Sequence, residues 1–249
     1  MSWNFINSGF KSGYYNMQFD IDLAKKCKDG QNFLRLYRWR PFCISLGAHQ
    51  SFEDINTGLA DSDNLDVVKR PTGGRAILHA EELTYSVVLP LEDGMSPKAV
   101  YLKVSRALVK GLSEYHSVLS DVELQPQQAN FRALLKKPEG KLCFATAAKN
   151  EITYSGKKLV GSAQRKIGNI LLQHGSILCG PYHKKLVNYL PADEIQFSNL
   201  EENTCDIESI LDEPVDYDKL SDSIRMGFEN EFEIHFEEYA DITAPQINS

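Results

Sequence analysis

The chain has 249 residues, 42% of them hydrophobic and 24% charged, with a formal net charge of −7. That length carries a sizeable core, and the composition is that of a soluble globular protein. The acidic balance argues against nucleic acid as a general partner, and no apolar run reaches the length of a membrane span.

The opening MSWNFINSGF lacks the basic and then apolar order of a signal peptide. Trp3 to Ile6 predicts a short strand. Tyr14 to Lys28 predicts a helix, with Met17, Ile21 and Ala24 on one face and Gly30 as a stop. Phe33 to Trp39 alternates as a strand, with Leu34, Leu36 and Tyr37 among polar neighbours. Phe42 to Leu46 is a second strand, ended by Gly47. Val67 to Arg70, Ala76 to His79 and Leu83 to Leu89 follow as three more. Ser96-Pro97 opens a helix, serine as N-cap and proline in the first turn, that runs to about Tyr115 through Val100, Val104, Leu108 and Leu112. Ser120 to Leu142 holds Pro126, Pro138 and a polar QPQQAN run and predicts a long mobile loop. Glu151 to Tyr154, a Ser155-Gly156 turn and Lys158 to Gln164 predict a hairpin, and Asn169 to Leu178 another strand. Tyr182 to Tyr189 and Cys205 to Leu211 are short helix candidates. Tyr217 to Phe232 carries Leu220, Ile224, Phe228 and Phe232 at four-residue spacing, an amphipathic helix. There is no internal repeat and no low-complexity linker. Strands in the middle with flanking helices predict an α/β (α+β) fold on a mixed, largely antiparallel sheet.

The stretch most suggestive of chemistry is Arg70-Pro71-Thr72-Gly73-Gly74-Arg75-Ala76-Ile77-Leu78-His79. Glycine reaches positive φ and lets a ligand approach the main chain, and the arginines suit an anionic or carbonyl-bearing ligand. A tight turn with surface arginines fits these residues equally well. The pattern is neither a P-loop nor a dinucleotide fingerprint, because G-x-x-x-x-G-K-S/T and G-x-G-x-x-G are absent. A second stretch runs from Gly156 through Lys157, Lys158, Leu159, Val160, Gly161, Ser162, Ala163 and Gln164 to Arg165, followed by Gln173-His174-Gly175-Ser176. Alone it reads as a closely packed hairpin, or as a strand that sets one cation, Lys158, against a substrate oxygen. Adjacent strand residues face opposite ways, so Lys157 is expected in solvent. The five cysteines are odd in number and show no C-x-x-C, which reads as reduced cytoplasmic thiols. His49, His79 and His174 show no metal-ligand spacing, and no metal is expected. His79 is expected to line a pocket or position the loop, and His174 to orient its strand by hydrogen bonds.

Together the two stretches resemble the biotin/lipoate protein ligase and octanoyltransferase superfamily. Asn16 to Asp20, Leu34 to Trp39, Ser45 to Gln50 and Glu82 to Ser86 also look like family segments, so the resemblance spans about Trp3 to Phe236. It implies one catalytic domain over 1–249 without a separate C-terminal accessory domain. It also implies attachment of an octanoyl, lipoyl or biotinyl group to a lysine of a carrier domain. Leu142-Cys143-Phe144 looks like the Cys-Phe segment of the cysteine-dependent octanoyltransferases that serve the glycine-cleavage H protein. The resemblance then makes Cys143 the nucleophile and Lys158 its catalytic partner. Arg70, Thr72, Gly73, Gly74, Arg75, His79, Gly161, Ser162, Ala163 and His174 become the substrate-binding set. Gly-Gly-Arg, where lipoate ligases commonly show three glycines, also looks like the transferases.

The reaction implied takes octanoyl (or lipoyl) from a thioester on acyl carrier protein, through acyl-Cys143, to a lysine of H protein or a lipoyl domain, without a cofactor. The alternatives are an ATP- and Mg2+-dependent lipoate ligase in which Cys143 is incidental, and an amidotransferase between carrier domains. A third is an inactive carrier-binding module, motivated by Ala80, where the family commonly has aspartate, and by residues Ala145 to Asn150, which keep little of the usual segment. No nucleic acid or membrane partner is implied.

Overall fold

The architecture follows from which way each strand residue points. In the computed structural model, which describes residues 2–28, 30–124, 151–191 and 200–238, strand β2 (Gln31–Trp39) is buried over nearly its whole length. Its even positions Leu34 and Leu36 enter one apolar cluster. Phe33, Tyr37 and Trp39 enter clusters on the opposite face. Both faces are therefore covered, and the half-exposed alternation expected from the sequence gives way to burial on both sides, Arg35 included.

β2 lies inside an eight-stranded sheet ordered β11 (Phe236–Glu238), β1 (Ser2–Lys11), β2, β6 (Glu82–Pro90), β10 (Ile170–Leu178), β9 (Lys157–Ile167), β8 (Ile152–Tyr154), β7 (Glu123–Leu124). β1 pairs in parallel with β2 and β11, and the remaining neighbours are antiparallel. A second sheet of three strands runs β4 (Asp66–Lys69), β3 (Cys43–Leu46), β5 (Ile77–His79). The expected mixed, largely antiparallel fold is what forms.

One face of the large sheet is covered by α3 (Pro97–Tyr115) and α6 (Tyr217–Phe232), the other by α1 (Gly13–Lys26) and the small sheet. The short helices α2 (Thr57–Ser62), α4 (Leu200–Asn203) and α5 (Ile207–Leu211) complete the described elements with three 3-10 turns. α3 starts where the sequence predicts, with the Ser96 side chain accepting from the Ala99 amide at 3.1 Å and Pro97 in the first turn.

Two expectations change. Ser120 and Asp121 close a 3-10 turn (Ser117–Asp121), and Glu123–Leu124 pairs with β8, so the predicted loop has ordered structure at its start. Its remainder, 125–142, lies outside the described residues. In α1 the buried face carries Asn16, Met17, Asp20 and Leu23, and Ile21 is only half-buried. The reason is Arg35, which draws Asp20 and Asn16 inward.

α3 and α6 approach so closely that their glycines touch. A Cβ on Gly227 would lie 2.4 Å from the Ala107 carbonyl oxygen and 2.4 Å from the Gly111 amide nitrogen. A Cβ on Gly111 would meet the Ile224 Cα at 2.7 Å. These obstacles are backbone, which cannot swing aside as a side chain can. Gly227→Ala is therefore expected to destabilise the fold by about 1–3 kcal/mol, the usual cost of overpacking. Urea unfolding reads this as a lower midpoint at unchanged slope, whereas an unchanged midpoint would mean that the helix pair slides apart freely.

Candidate active site

Between the large sheet and the small one lies a narrow cavity that opens to solvent. Met17 of α1, Tyr37 and Trp39 of β2, and Ile77 of β5 provide apolar wall. Thr84 of β6, His174, Gly175 and Ser176 of β10, and Gly161, Ser162 and Ala163 of β9 complete it with Arg70 and His79. The sheet positions these residues by register, His174 opposite Ala163 and Ser86, Ser176 opposite Gly161 and Thr84. Two segments some 90 residues apart in sequence thus meet at one wall. Of the substrate-binding set expected from the sequence, Arg70, His79, Gly161, Ser162, Ala163 and His174 line this space.

Thr72 joins them through a side-chain contact. Its Oγ1 lies 2.6 Å from His174 Nε2, and His174 Nδ1 lies 3.5 Å from Asp20 Oδ2. A carboxylate can only accept, so Nδ1 carries the proton, and Nε2 accepts from the Thr72 hydroxyl. His174 therefore fixes the glycine loop as well as its own strand. Behind it, Arg35 donates to Asp20 Oδ1 at 2.8 Å, to Asn16 Oδ1 at 2.6 Å and to Ser8 Oγ at 2.8 Å. Tyr37 and Ser86 donate to the same carboxylate.

The glycine loop is held from inside. The Arg70 guanidinium donates to the carbonyls of Gly73 (3.0 Å), Arg75 (2.6 Å) and Ser45 (2.8 Å). Arg165 adds a bond from Nη1 to the Pro71 carbonyl at 2.7 Å. Arg70 thus shapes the loop with the donors that the sequence offered to a ligand. Gly74 sits at φ +96°, where only glycine is at ease. Gly47, at the end of β3, allows close approach, since a Cβ there would lie 2.0 Å from the Gly74 carbonyl oxygen. Gly73 faces open space. Among the described residues neither the Gly73 nor the Gly74 amide meets a hydrogen-bond acceptor. Arg75 is half-buried beside them.

On the cavity's other side Glu82 is a hub. Its Oε1 accepts from His79 Nδ1 (2.8 Å), Ser176 Oγ (2.9 Å), Trp39 Nε1 (3.1 Å) and the Thr84 hydroxyl. Ser45 Oγ lies 2.7 Å from His79 Nε2, and the His79 ring stacks on Trp39 at 4.1 Å between centroids. His79 is thus a fixed part of the lining. Lys158 does not line this cavity. Its Nζ pairs with Glu151 Oε1 at 2.7 Å, both side chains buried, at the irregularity where β8 meets β9. Lys157 is exposed, as strand alternation predicts. Cys143 lies outside the described residues. Cys27, Cys43 and Cys179 are buried and Cys205 half-buried, and burial pushes the Cys205 thiol up to about 11.

The sequence reading overlooked Trp39, Glu82, Arg35 and Asp20 as parts of the site. A signal for the last two existed. A carboxylate three residues from Met17 on an apolar helix face, and an arginine inside an apolar strand, each require a partner. Nothing in the sequence pairs them, because they are 15 positions apart on different elements.

Burial pushes the Asp20 carboxyl up, but the Arg35 guanidinium and His174 outweigh burial and hold it below its usual 3.8. Burial likewise raises Glu82, and His79, Thr84 and Ser176 outweigh it, leaving Glu82 below 4.5. For His174 burial dominates over Asp20 and lowers it from 6.5, so the imidazole is neutral at neutral pH. All three shifts have one sign for stability. The unfolded chain binds protons more readily, so stability falls as pH falls. His174 contributes in full above 6.5, and its share is lost from there down through its lowered value. The carboxylates contribute in full above 4.5 and 3.8, and their shares are lost below. Urea unfolding against pH is expected to decline in two stages, with His174→Gln flattening the upper one. An unchanged upper stage in that variant would refute the neutral imidazole.

The chain is similar to known proteins over nearly its full length. The model for the lipoyl protein ligase A/B catalytic domain matches residues 12–229. The octanoyltransferase LipM of Lysinibacillus sphaericus is 33% identical over 250 residues, covering 96% of this chain and 90% of the relative. That of Bacillus subtilis is 31% identical, covering 96% and 89%. Among solved structures, lipoate-protein ligase A bound with ATP superposes with a TM-score of 0.77 at 20% identity, over 96% of this chain and 89% of the other. A structure described as a bi-partite lipoate protein ligase and its E2 lipoyl domain from Thermoplasma acidophilum superposes with a TM-score of 0.75 at 18% identity, over 96% and 87%. These two likenesses concern the fold. By the family match and by relatives above 30% identity along almost all of its length, the chain belongs to the lipoyl protein ligase A/B catalytic domain family and is an enzyme of that family.

Proposed function

We propose that the protein moves an octanoyl or lipoyl group from the thioester of acyl carrier protein, through acyl-Cys143, to a lysine of H protein or a lipoyl domain. The observation that carries this reading is the cavity, apolar along Met17, Tyr37, Trp39 and Ile77 and edged by the glycine loop. An eight-carbon tail buried there gains about 0.8 kcal/mol for each methylene. The octanoyltransferase relatives support the same reaction.

In this reading the Cys143 thiolate attacks the thioester carbonyl. The donor's C–S bond breaks, its sulfur leaves as a thiolate that takes up the proton Cys143 released on ionising, and the acyl group is held on Cys143. The acceptor lysine amine then attacks, an amide forms and the Cys143 thiol is regenerated. A thioester is already activated, so no ATP enters. In this reading Lys158, ion-paired to Glu151, is the cation that favours the Cys143 thiolate. The Gly73 and Gly74 amides are suited to the developing oxyanion, and Arg70, Thr72 and His174 hold those amides in place. His79, Arg75, Gly161, Ser162 and Ala163 shape the acyl-binding wall. The chain acts as one catalytic domain in the cytoplasm. No helix among the described residues is long and apolar enough to cross a membrane.

Intact-mass spectrometry after incubation with octanoyl-acyl carrier protein, without ATP, tests the reading. An octanoyl adduct is expected on the wild type and none on Cys143→Ala. Lys158→Gln is expected to slow adduct formation by about 10²-fold or more, as loss of one preorganised charge does. Modification of the acceptor only with free octanoate and ATP, undiminished in Cys143→Ala, would instead establish the ligase reaction.

A further inference from the structure

A second opening lies on the other side of Trp39, at the turn between β2 and β3. Phe10, Arg38, Arg40, Phe42, Glu81 and Tyr182 are among its walls. Trp39 lines both this groove and the acyl cavity.

The arginines of this groove are unlike the others described above. Arg35 is fully buried and donates to a carboxylate, an amide oxygen and a hydroxyl. Arg70 is buried and donates to three main-chain carbonyls. Arg38 is half-buried, and its Nε is sealed from solvent with no hydrogen-bond partner. Its guanidinium lies between two rings, 3.3 Å from the Tyr217 centroid and 4.2 Å from that of Phe10. Arg40 is exposed, and its guanidinium lies 4.1 Å from the same Phe10 ring. Among the described residues neither guanidinium forms an ion pair.

Two cations share one aromatic ring, and the ring's quadrupole offsets only part of the cost of partly burying Arg38. The groove's walls also hold two acids, Glu81 and Asp63, and among the described residues neither forms an ion pair with these arginines. Glu81 Oε2 accepts from the Tyr182 amide at 3.1 Å, and Asp63 Oδ2 from the Tyr189 hydroxyl at 2.7 Å. A guanidinium fork held beside two rings still carries N–H groups, donors that oxyanions accept.

We propose that this groove is an oxyanion site for the phosphate group of a phosphate-bearing ligand, with Arg38 and Arg40 as its donors and Phe10 as the shelf that aligns them. Two adjacent cations match a dianion better than a single carboxylate. The shared wall at Trp39 makes the site a neighbour of the acyl cavity, with its other walls its own. The proposal does not depend on the acyl-transfer reading.

Inorganic phosphate is the first probe, titrated into the full-length protein above its second ionisation and followed by tryptophan fluorescence and calorimetry. Saturable binding is expected, weakened roughly tenfold by Arg38→Gln or by Arg40→Gln, the loss of one charge-assisted contact. The double variant is expected to bind no phosphate, with the wild-type thermal midpoint certifying its fold. Acetate at matched ionic strength is expected to bind at least roughly tenfold more weakly than phosphate. Equal phosphate affinity in the folded double variant, or acetate binding as tight as phosphate, would overturn the assignment.

Discussion

The buried pair of Arg35 and Asp20 is the constraint on which the site depends. Both side chains are fully excluded from water, and the charges are compensated at 2.8 Å. Such a pair gives little net stability, since desolvation of both ions opposes their attraction, but removing one partner leaves a buried charge and costs about 3–5 kcal/mol. Its effect here is positional. Arg35 fixes α1 against β2 through Asp20 and Asn16, and Asp20 passes the constraint to His174 and so to Thr72. The orientation of the glycine loop is thereby tied to the packing of the first helix.

A second network mirrors the first across the cavity. Glu82 gathers donors from β2, β5, β6 and β10 onto one oxygen. The two carboxylates hold opposite ends of one wall, and both stay ionised inside the protein because fixed donors outweigh burial. An apolar cavity walled by side chains already bonded to one another favours an apolar chain, because few polar atoms remain to be satisfied by water. Among the described residues the Gly73 and Gly74 amides are donors that meet no acceptor, and they belong to the backbone, where a carbonyl oxygen can reach them.

Much of this was legible in the sequence. The Ser96-Pro97 start of α3, the four-residue spacing of α6 and the Ser155-Gly156 turn each rest on local preference, and the structure has them where the pattern puts them. The glycine loop and the Gly161 to Ala163 strand were recognisable as motifs, and the register of β9 with β10 brings the strand to the cavity beside His174. The burial of β2 on both faces was not legible, because alternation in one strand does not reveal what covers its polar side. The pairing of Gly111 with Gly227 was equally hidden, since each is an ordinary helical glycine until the other helix arrives.

The sequence by itself determined the family, the order of helices and strands, and the residue types from which a site is made. These follow from local periodicity, capping chemistry and short motifs, all of which act over a few positions. The tertiary structure alone decided which of those residues share a wall, that Arg70 is bonded to its own loop, that Lys158 is buried against Glu151 and that Arg38 meets rings in place of an acid. Those outcomes depend on contacts between positions far apart in the chain. Burial sets the energy of each such charge, and burial is a property of the whole packed molecule.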